Sequence, residues 1–157
     1  MGGDNIALGL IAVLAGLLVL AAISDIRHRS ISNPLNGAIA LLAIPFWFAI
    51  GLDPWPGMVL QIGVALAVIA FFSIFFAFNW MGGGDVKLVT ALALWMPWGL
   101  MLQTVLLISI IGGALTTIVW AWHKYRKTSI GAGVPYGIAI VLGGLWGLHQ
   151  QYINHFA

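Results

Sequence analysis

Long apolar runs separated by short polar clusters set the pattern of this chain. The runs are Ile6–Ile23, Leu35–Leu52, Gly57–Phe78, a longer stretch Val86–Trp122, and Val134–His149. A hydrocarbon layer about 30 Å thick takes about 20 apolar helical residues to cross, so each run predicts a membrane helix. The longer stretch would exceed about 50 Å as one helix, and Pro97-Trp98-Gly99 offers a break in it. Basic residues decide the count. They stand as Arg27 and Arg29, then Lys87, then Lys124, Arg126 and Lys127. If the stretch crosses twice, all of them fall on one face, as the cytoplasmic bias of Lys and Arg prefers. The expectation is an all-α integral membrane protein with six transmembrane helices, at about 6–23, 35–52, 57–78, 86–100, 103–122 and 134–150, both termini extracytoplasmic. It forms one polytopic domain over residues 1–157.

In this topology "DPWPG" (53–57) is a tight outer turn, while "DIRHRSISN" (25–33), "NWMGGGDVK" (79–87) and "HKYRKTSIGAG" (123–133) face the cytoplasm. Trp80, Trp120 and Trp122 fall near the inner interface and Trp55, Trp95, Trp98 and Trp146 near the outer one, where amphipathic rings settle. The fourth span is short for a full core, which calls for a recessed Asp85 or a thinned bilayer. The first run carries Asp4 before it and Arg27 and Arg29 after it, the reverse of a secretory signal, and reads as a retained helix. Gly143-x-x-x-Gly147 and Gly112-Gly113-Ala114 are small-residue patches that let helices approach.

Composition sharpens this picture. Of 157 residues, 62% are hydrophobic and 6% charged, far from soluble globular usage. The absence of cysteine excludes disulfides, thiolate metal sites and cysteine nucleophiles. A formal charge of +2 is spread over membrane loops, so no nucleic-acid partner is expected. No His or carboxylate spacing suggests a metal site, no serine stands in a Gly-x-Ser-x-Gly context, and no cofactor is expected. There is no glutamate, so carboxylate chemistry has only Asp4, Asp25, Asp53 and Asp85 to draw on. Asp4 and Asp53 belong to the outer face. Asp25 closes the first helix and Asp85 opens the fourth, so both lie at the cytoplasmic edge.

A carboxylate in or near hydrocarbon is costly and usually faces a cavity or a partner. Two that approach closely push their pKa values apart and share one proton. That state suits hydrolysis: the ionised member takes a proton from water and the protonated member donates to the scissile carbonyl. Gly82, Gly83 and Gly84 precede Asp85, and residues without Cβ let a substrate backbone lie close and let the loop adopt positive φ. Blander readings stand beside this one: Asp85 as a helix cap, and Asp25 paired with Arg27 or Arg29 in a solvated loop.

"DIRHRSISN" followed by "GGGDVKL" resembles the two active-site motifs of the type IV prepilin peptidase family, the GxGD class of membrane aspartyl proteases. "GVPYGIAI" (133–140) is similar to the start of that family's last helix. The resemblance covers almost the whole chain. It implies an endopeptidase of the bacterial cytoplasmic (inner) membrane that removes short basic leaders from prepilin or pseudopilin substrates at the cytoplasmic face, with Asp25 and Asp85 as the dyad. Membrane lipid and the pilus-assembly machinery are the other implied partners. Ser32 stands where the family often has proline. The chain lacks the cysteine-rich domain of the bifunctional members and looks like the minimal form associated with Flp/Tad-type pili, which implies peptidase activity and gives no basis for methylation.

Around the dyad, Gly82, Gly83, Gly84, Lys87, Arg27, Arg29 and Asn33 are the candidate loop and substrate contacts. Lys87 can anchor at the interface, lower the dyad's pKa or touch substrate. Asn33 can orient the site or satisfy a turn, and the turn reading is favoured for Asn79. His28 reads as a solvated loop residue. The rival function is a small proton- or cation-coupled transporter subunit. It needs ionisable groups at mid-depth, where the sequence offers only Gln61, Gln103 and scattered Ser and Thr.

Overall fold

In the computed structural model, residues 2–126 and 136–156 are described, and they are helical apart from short connections. The helices are α1 (Gly2–His28), α2 (Asn33–Ala49), α3 (Val59–Ala77), α4 (Gly83–Ala93), α5 (Trp98–Arg126) and α6 (Tyr136–Phe156), with a π-helical turn, Pro54–Met58, ahead of α3. Three segments are long and apolar enough to cross a membrane: Gly2–His28, Pro54–Ala77 and Trp98–Trp122. Asn33–Ala49 is a shorter apolar helix.

The helix ends follow local rules. Ser32 is extended (φ −68°, ψ 144°) and Pro34 sits in the first turn of α2, where a missing N–H costs nothing. That φ lies within proline's own range, so a proline would be accommodated at the same position. Asn79 ends α3 in the left-handed region (φ 57°). Its N–H bonds the Phe76 carbonyl at 2.9 Å and the Trp80 N–H bonds that of Phe75 at 2.9 Å, a Schellman motif and the turn role expected of Asn79. Gly51 (φ 67°) ends α2 by the same pairing, Gly51 N–H to Phe48 and Leu52 N–H to Trp47.

The core is built around α4. Val86, Leu88, Val89, Ala91, Leu92 and Ala93 are all buried, and α4 packs on α2, α3 and α6. Eleven residues span only about 16 Å, half of a hydrocarbon core. The fourth helix therefore ends at Ala93 rather than near residue 100, and the fifth begins at Trp98 rather than 103. Pro97 separates them, and Leu100 lies inside α5.

A helix that stops among apolar side chains leaves bare carbonyls, each costly away from water. Here the neighbours supply donors. Gln61 of α3 gives its amide N–H to the Ala93 carbonyl (3.0 Å) and to that of Met96, and Trp47 of α2 gives its indole N–H to Leu94 (2.7 Å). Trp95 was expected at the outer interface. It is instead 1% exposed, stacked on Phe46 with centroids 4.8 Å apart, and its indole N–H reaches the Ile39 carbonyl at 2.9 Å. A buried indole needs a partner, and a backbone carbonyl serves as well as interfacial water.

The small-residue stripe of α6 packs as expected. A Cβ at Gly143 would lie 2.5 Å from Ile108, at Gly144 2.9 Å from Leu92, and at Gly147 2.6 Å from Thr104. These glycines let α6 touch α5 and α4 backbone-close.

Gln61→Leu strips two carbonyls of their donor while keeping apolar bulk. It should lower stability by about 1–3 kcal/mol, read as a lower thermal midpoint in detergent, whereas Gln103→Leu on the exposed face of α5 should leave the midpoint unchanged. Equal midpoints for both variants would mean that Gln61 does not hold the end of α4.

Candidate active site

Asp25 continues a buried stripe of α1, Ala7, Leu14, Leu18 and Ala21, whose helical spacing aims the carboxylate into the bundle. It is 5% exposed. Its position in the last turn of α1 is the wrong end of that helix for an anion, because the carbonyls there carry partial negative charge. The compensating donor comes from another helix: the Gly137 N–H, in the first turn of α6, reaches Asp25 Oδ2 at 2.9 Å. Gly137 must be glycine, since a Cβ would stand 2.6 Å from that same oxygen.

Asp85 is in the first turn of α4, the favourable end for a carboxylate. Gly82 precedes that helix as its N-cap, and no side-chain capping bond is present, so Asp85 is not the cap. It is 9% exposed. Asp85 lies outside the three segments long enough to span. Burial, and after it the charge of Asp25, push its carboxyl up to about 7, against a lowering backbone hydrogen bond at Gly82.

The two aspartates border the same space. A cavity of about 460 Å³ is lined by both, with Arg29, Trp80, Gly82, Thr116 and Tyr136 among its other walls. A smaller one, about 170 Å³, is lined by both aspartates with Arg29, Ser30, Ile31 and Gly82, Gly83 and Gly84. The dyad thus stands between two recesses.

The glycines do not do what the sequence suggested in one respect: none of Gly82, Gly83 and Gly84 has positive φ, and Gly82 sits at φ −71°. Positive φ falls instead on Arg29 (52°) and Asn79 (57°). The value of the glycines is close approach. A Cβ at Gly84 would lie 3.1–3.3 Å from Ile31 backbone and Cβ atoms, at Gly83 3.3 Å from the Phe76 ring, and at Gly82 3.1 Å from Asp85 Oδ2. The start of α4 is thereby pressed onto the 29–32 segment that follows Asp25. Asn36, buried in α2, locks this contact by donating its amide N–H to the Gly84 carbonyl at 3.1 Å.

Arg29 lines both cavities, and its charge is felt at Asp25. Arg27 and His28 are exposed and border neither. Lys87 and Asn33 also lie apart from the dyad. The Lys87 ammonium donates to Asn33 Oδ1 at 2.8 Å, and the two border a separate groove between α2 and α4. Among the described residues no three His, Cys, Asp or Glu side chains converge. Sequence reasoning missed Asn36, Thr116, Tyr136 and the specific task of Gly137. Gly133, Val134 and Pro135 of the third motif lie outside the described residues.

The type IV leader peptidase family matches residues 12–117, which include both aspartates. The chain belongs to this family. Among curated relatives, a prepilin leader peptidase/N-methyltransferase of Pectobacterium carotovorum is 24% identical over 152 residues, 93% of this chain and 52% of that protein. Proteins of the same description from Stutzerimonas stutzeri and Pseudomonas aeruginosa are each 30% identical over 95 residues, 54% of this chain and 32% of theirs. The chain therefore spans about a third to a half of the length of these relatives. No solved structure matches it. Within the family match, the two aspartates come from α1 and α4, while α6, which supplies Gly137, lies beyond its end.

The Asp25 charge helps to hold Asp85 protonated, so removing it should act in a defined direction. In Asp25→Asn the midpoint of Asp85, followed by the infrared band of its protonated carboxyl, should move down from about 7. A midpoint that stays put or rises would show that the two carboxylates do not interact.

Proposed function

We propose that the chain is a membrane aspartyl endopeptidase that cleaves the short basic leader from Flp-like prepilins, in the cytoplasmic membrane and at its cytoplasmic face. The observation that carries this reading is the pair of buried aspartates bordering one cavity. Family membership supports the substrate class, since the relatives are described as prepilin leader peptidase/N-methyltransferases. The proposed activity is the peptidase half of that description, because a pair of carboxylates suits amide hydrolysis.

In the mechanism one aspartate is ionised and the other protonated, which close carboxylates favour. The ionised one takes a proton from water as the water oxygen bonds to the scissile carbonyl carbon. The protonated one gives its proton to the carbonyl oxygen, forming a gem-diol. The C–N bond then breaks as the amine nitrogen takes the proton of the protonated aspartate and one gem-diol hydroxyl returns its proton to the ionised one, so that the carbonyl re-forms as a carboxyl group. Water and amide become acid and amine, with the dyad restored. Gly137 orients Asp25, and Gly84 brings Asp85 to it.

The proposed orientation has six membrane passages, with both termini outside. It is supported by the basic residues Arg27 and Arg29 at the end of α1, Lys87 at the start of α4 and Lys124 near the end of α5, which share the dyad's end of the bundle. They would also hold that end against anionic headgroups. The transporter alternative fares worse: Gln61, its best mid-depth polar group, is committed to the carbonyls of Ala93 and Met96.

Cleavage of a co-expressed Flp-type prepilin, read as a gel shift at matched membrane levels, tests the reading. Asp25→Asn and Asp85→Asn should each abolish processing, and Gly137→Ala, which forces Asp25 off its amide, should slow it by at least about tenfold. Normal processing by either asparagine variant would end the two-carboxylate mechanism.

A further inference from the structure

In the mechanism above, charge developing on the scissile oxygen meets one donor, the protonated aspartate, although a carbonyl oxygen has two lone pairs. The cavity holds a second candidate donor. Tyr136 opens α6, one residue before the amide that holds Asp25, and borders the larger cavity together with both aspartates. It is near enough to feel the charge of Asp85.

The ring rests on α5. A Cβ at Gly112 would fall 2.5–2.7 Å from Cζ, Oη and Cε2 of Tyr136, so the ring lies against bare backbone that no other residue type would leave open. One turn on, Thr116 borders the same cavity, but its hydroxyl is already given to the Gly112 carbonyl at 2.8 Å. Among the described residues nothing takes a hydrogen bond from the Tyr136 hydroxyl. Of the two hydroxyls bordering the cavity, that of Thr116 is committed and that of Tyr136 is given to no described residue. A tyrosine needed only to fill the space over Gly112 would do so equally well as phenylalanine, without a half-buried polar group in a cavity lined by two carboxylates.

The geometry points to Tyr136 as a catalytic hydrogen-bond donor to the carbonyl oxygen of the scissile peptide bond. This rests on the peptidase reading. As the water oxygen bonds to the carbonyl carbon, the π pair moves to the carbonyl oxygen. The protonated aspartate transfers its proton there, and the Tyr136 hydroxyl, keeping its own proton, stabilises the same oxygen through the other lone pair. When the C–N bond breaks, the pair returns to the carbonyl and the tyrosine is unchanged.

Tyr136→Phe keeps the ring seated on Gly112 and removes only the donor. With a purified prepilin in detergent micelles, its kcat should fall about 100–1,000-fold, the order set by loss of one such donor, while KM stays within about twofold and the thermal midpoint is unchanged. A kcat within twofold of the unmodified chain overturns the role. If the phenylalanine variant does not accumulate folded, 3-fluorotyrosine at position 136 decides. Its more acidic hydroxyl ionises before that of tyrosine and stops donating, so the ratio of its kcat to that of the unmodified chain should fall as pH rises toward the ordinary tyrosine value of about 10, and a flat ratio overturns the role. Absence of cleavage by the unmodified chain sinks the peptidase reading and this role together. Cleavage by the unmodified chain with kcat unaltered in Tyr136→Phe sinks the tyrosine alone.

Discussion

Everything in this molecule turns on how a short helix can end in an apolar interior. α4 carries Asp85 at one end and a set of bare carbonyls at the other, and no water is at hand to satisfy them. Gln61 and Trp47 answer that demand from the two flanking helices. By doing so they fix the depth and rotation of α4, and with them where Asp85 points. The placement of the carboxylate at the head of the helix thus depends on polar contacts at its foot, about 16 Å away.

The electrostatic logic of the dyad is one of borrowed helix ends. Asp85 uses the amide end of its own helix, whereas Asp25 sits at the carbonyl end of its own and takes an amide from α6. Among the described residues no cation makes an ion pair with either carboxylate, which favours proton sharing between them. A direct arginine pair would hold one of them permanently ionised. Arg29 contributes charge from the cavity rim without closing off the carboxylate.

How much of this could be read from the sequence follows from what each signal encodes. The two aspartates stood out because carboxylates are so few in an apolar chain, and hydropathy gave helical architecture directly. Helix ends were less legible: Val86–Trp122 is apolar throughout, so nothing but Pro97 marked where one helix gives way to the next, and the break came at 94–97 rather than near 100. Trp95 was misplaced because an indole can satisfy its N–H on a carbonyl as well as at an interface. The glycines were read for φ when their use was contact distance, which depends on the neighbour and leaves no local trace. The task of Gly137 was invisible for the same reason, since its partner is 112 residues away.

That separation carries a consequence for biosynthesis. α1 emerges first and α6 last, and the amide that orients Asp25 belongs to the second residue of α6. Until α6 has formed and docked, Asp25 lacks its partner and α1 ends in an unsupported carboxylate. The pair is thus completed only once α6 is in place, and a chain interrupted before α6 would carry both aspartates without the amide that aims the first.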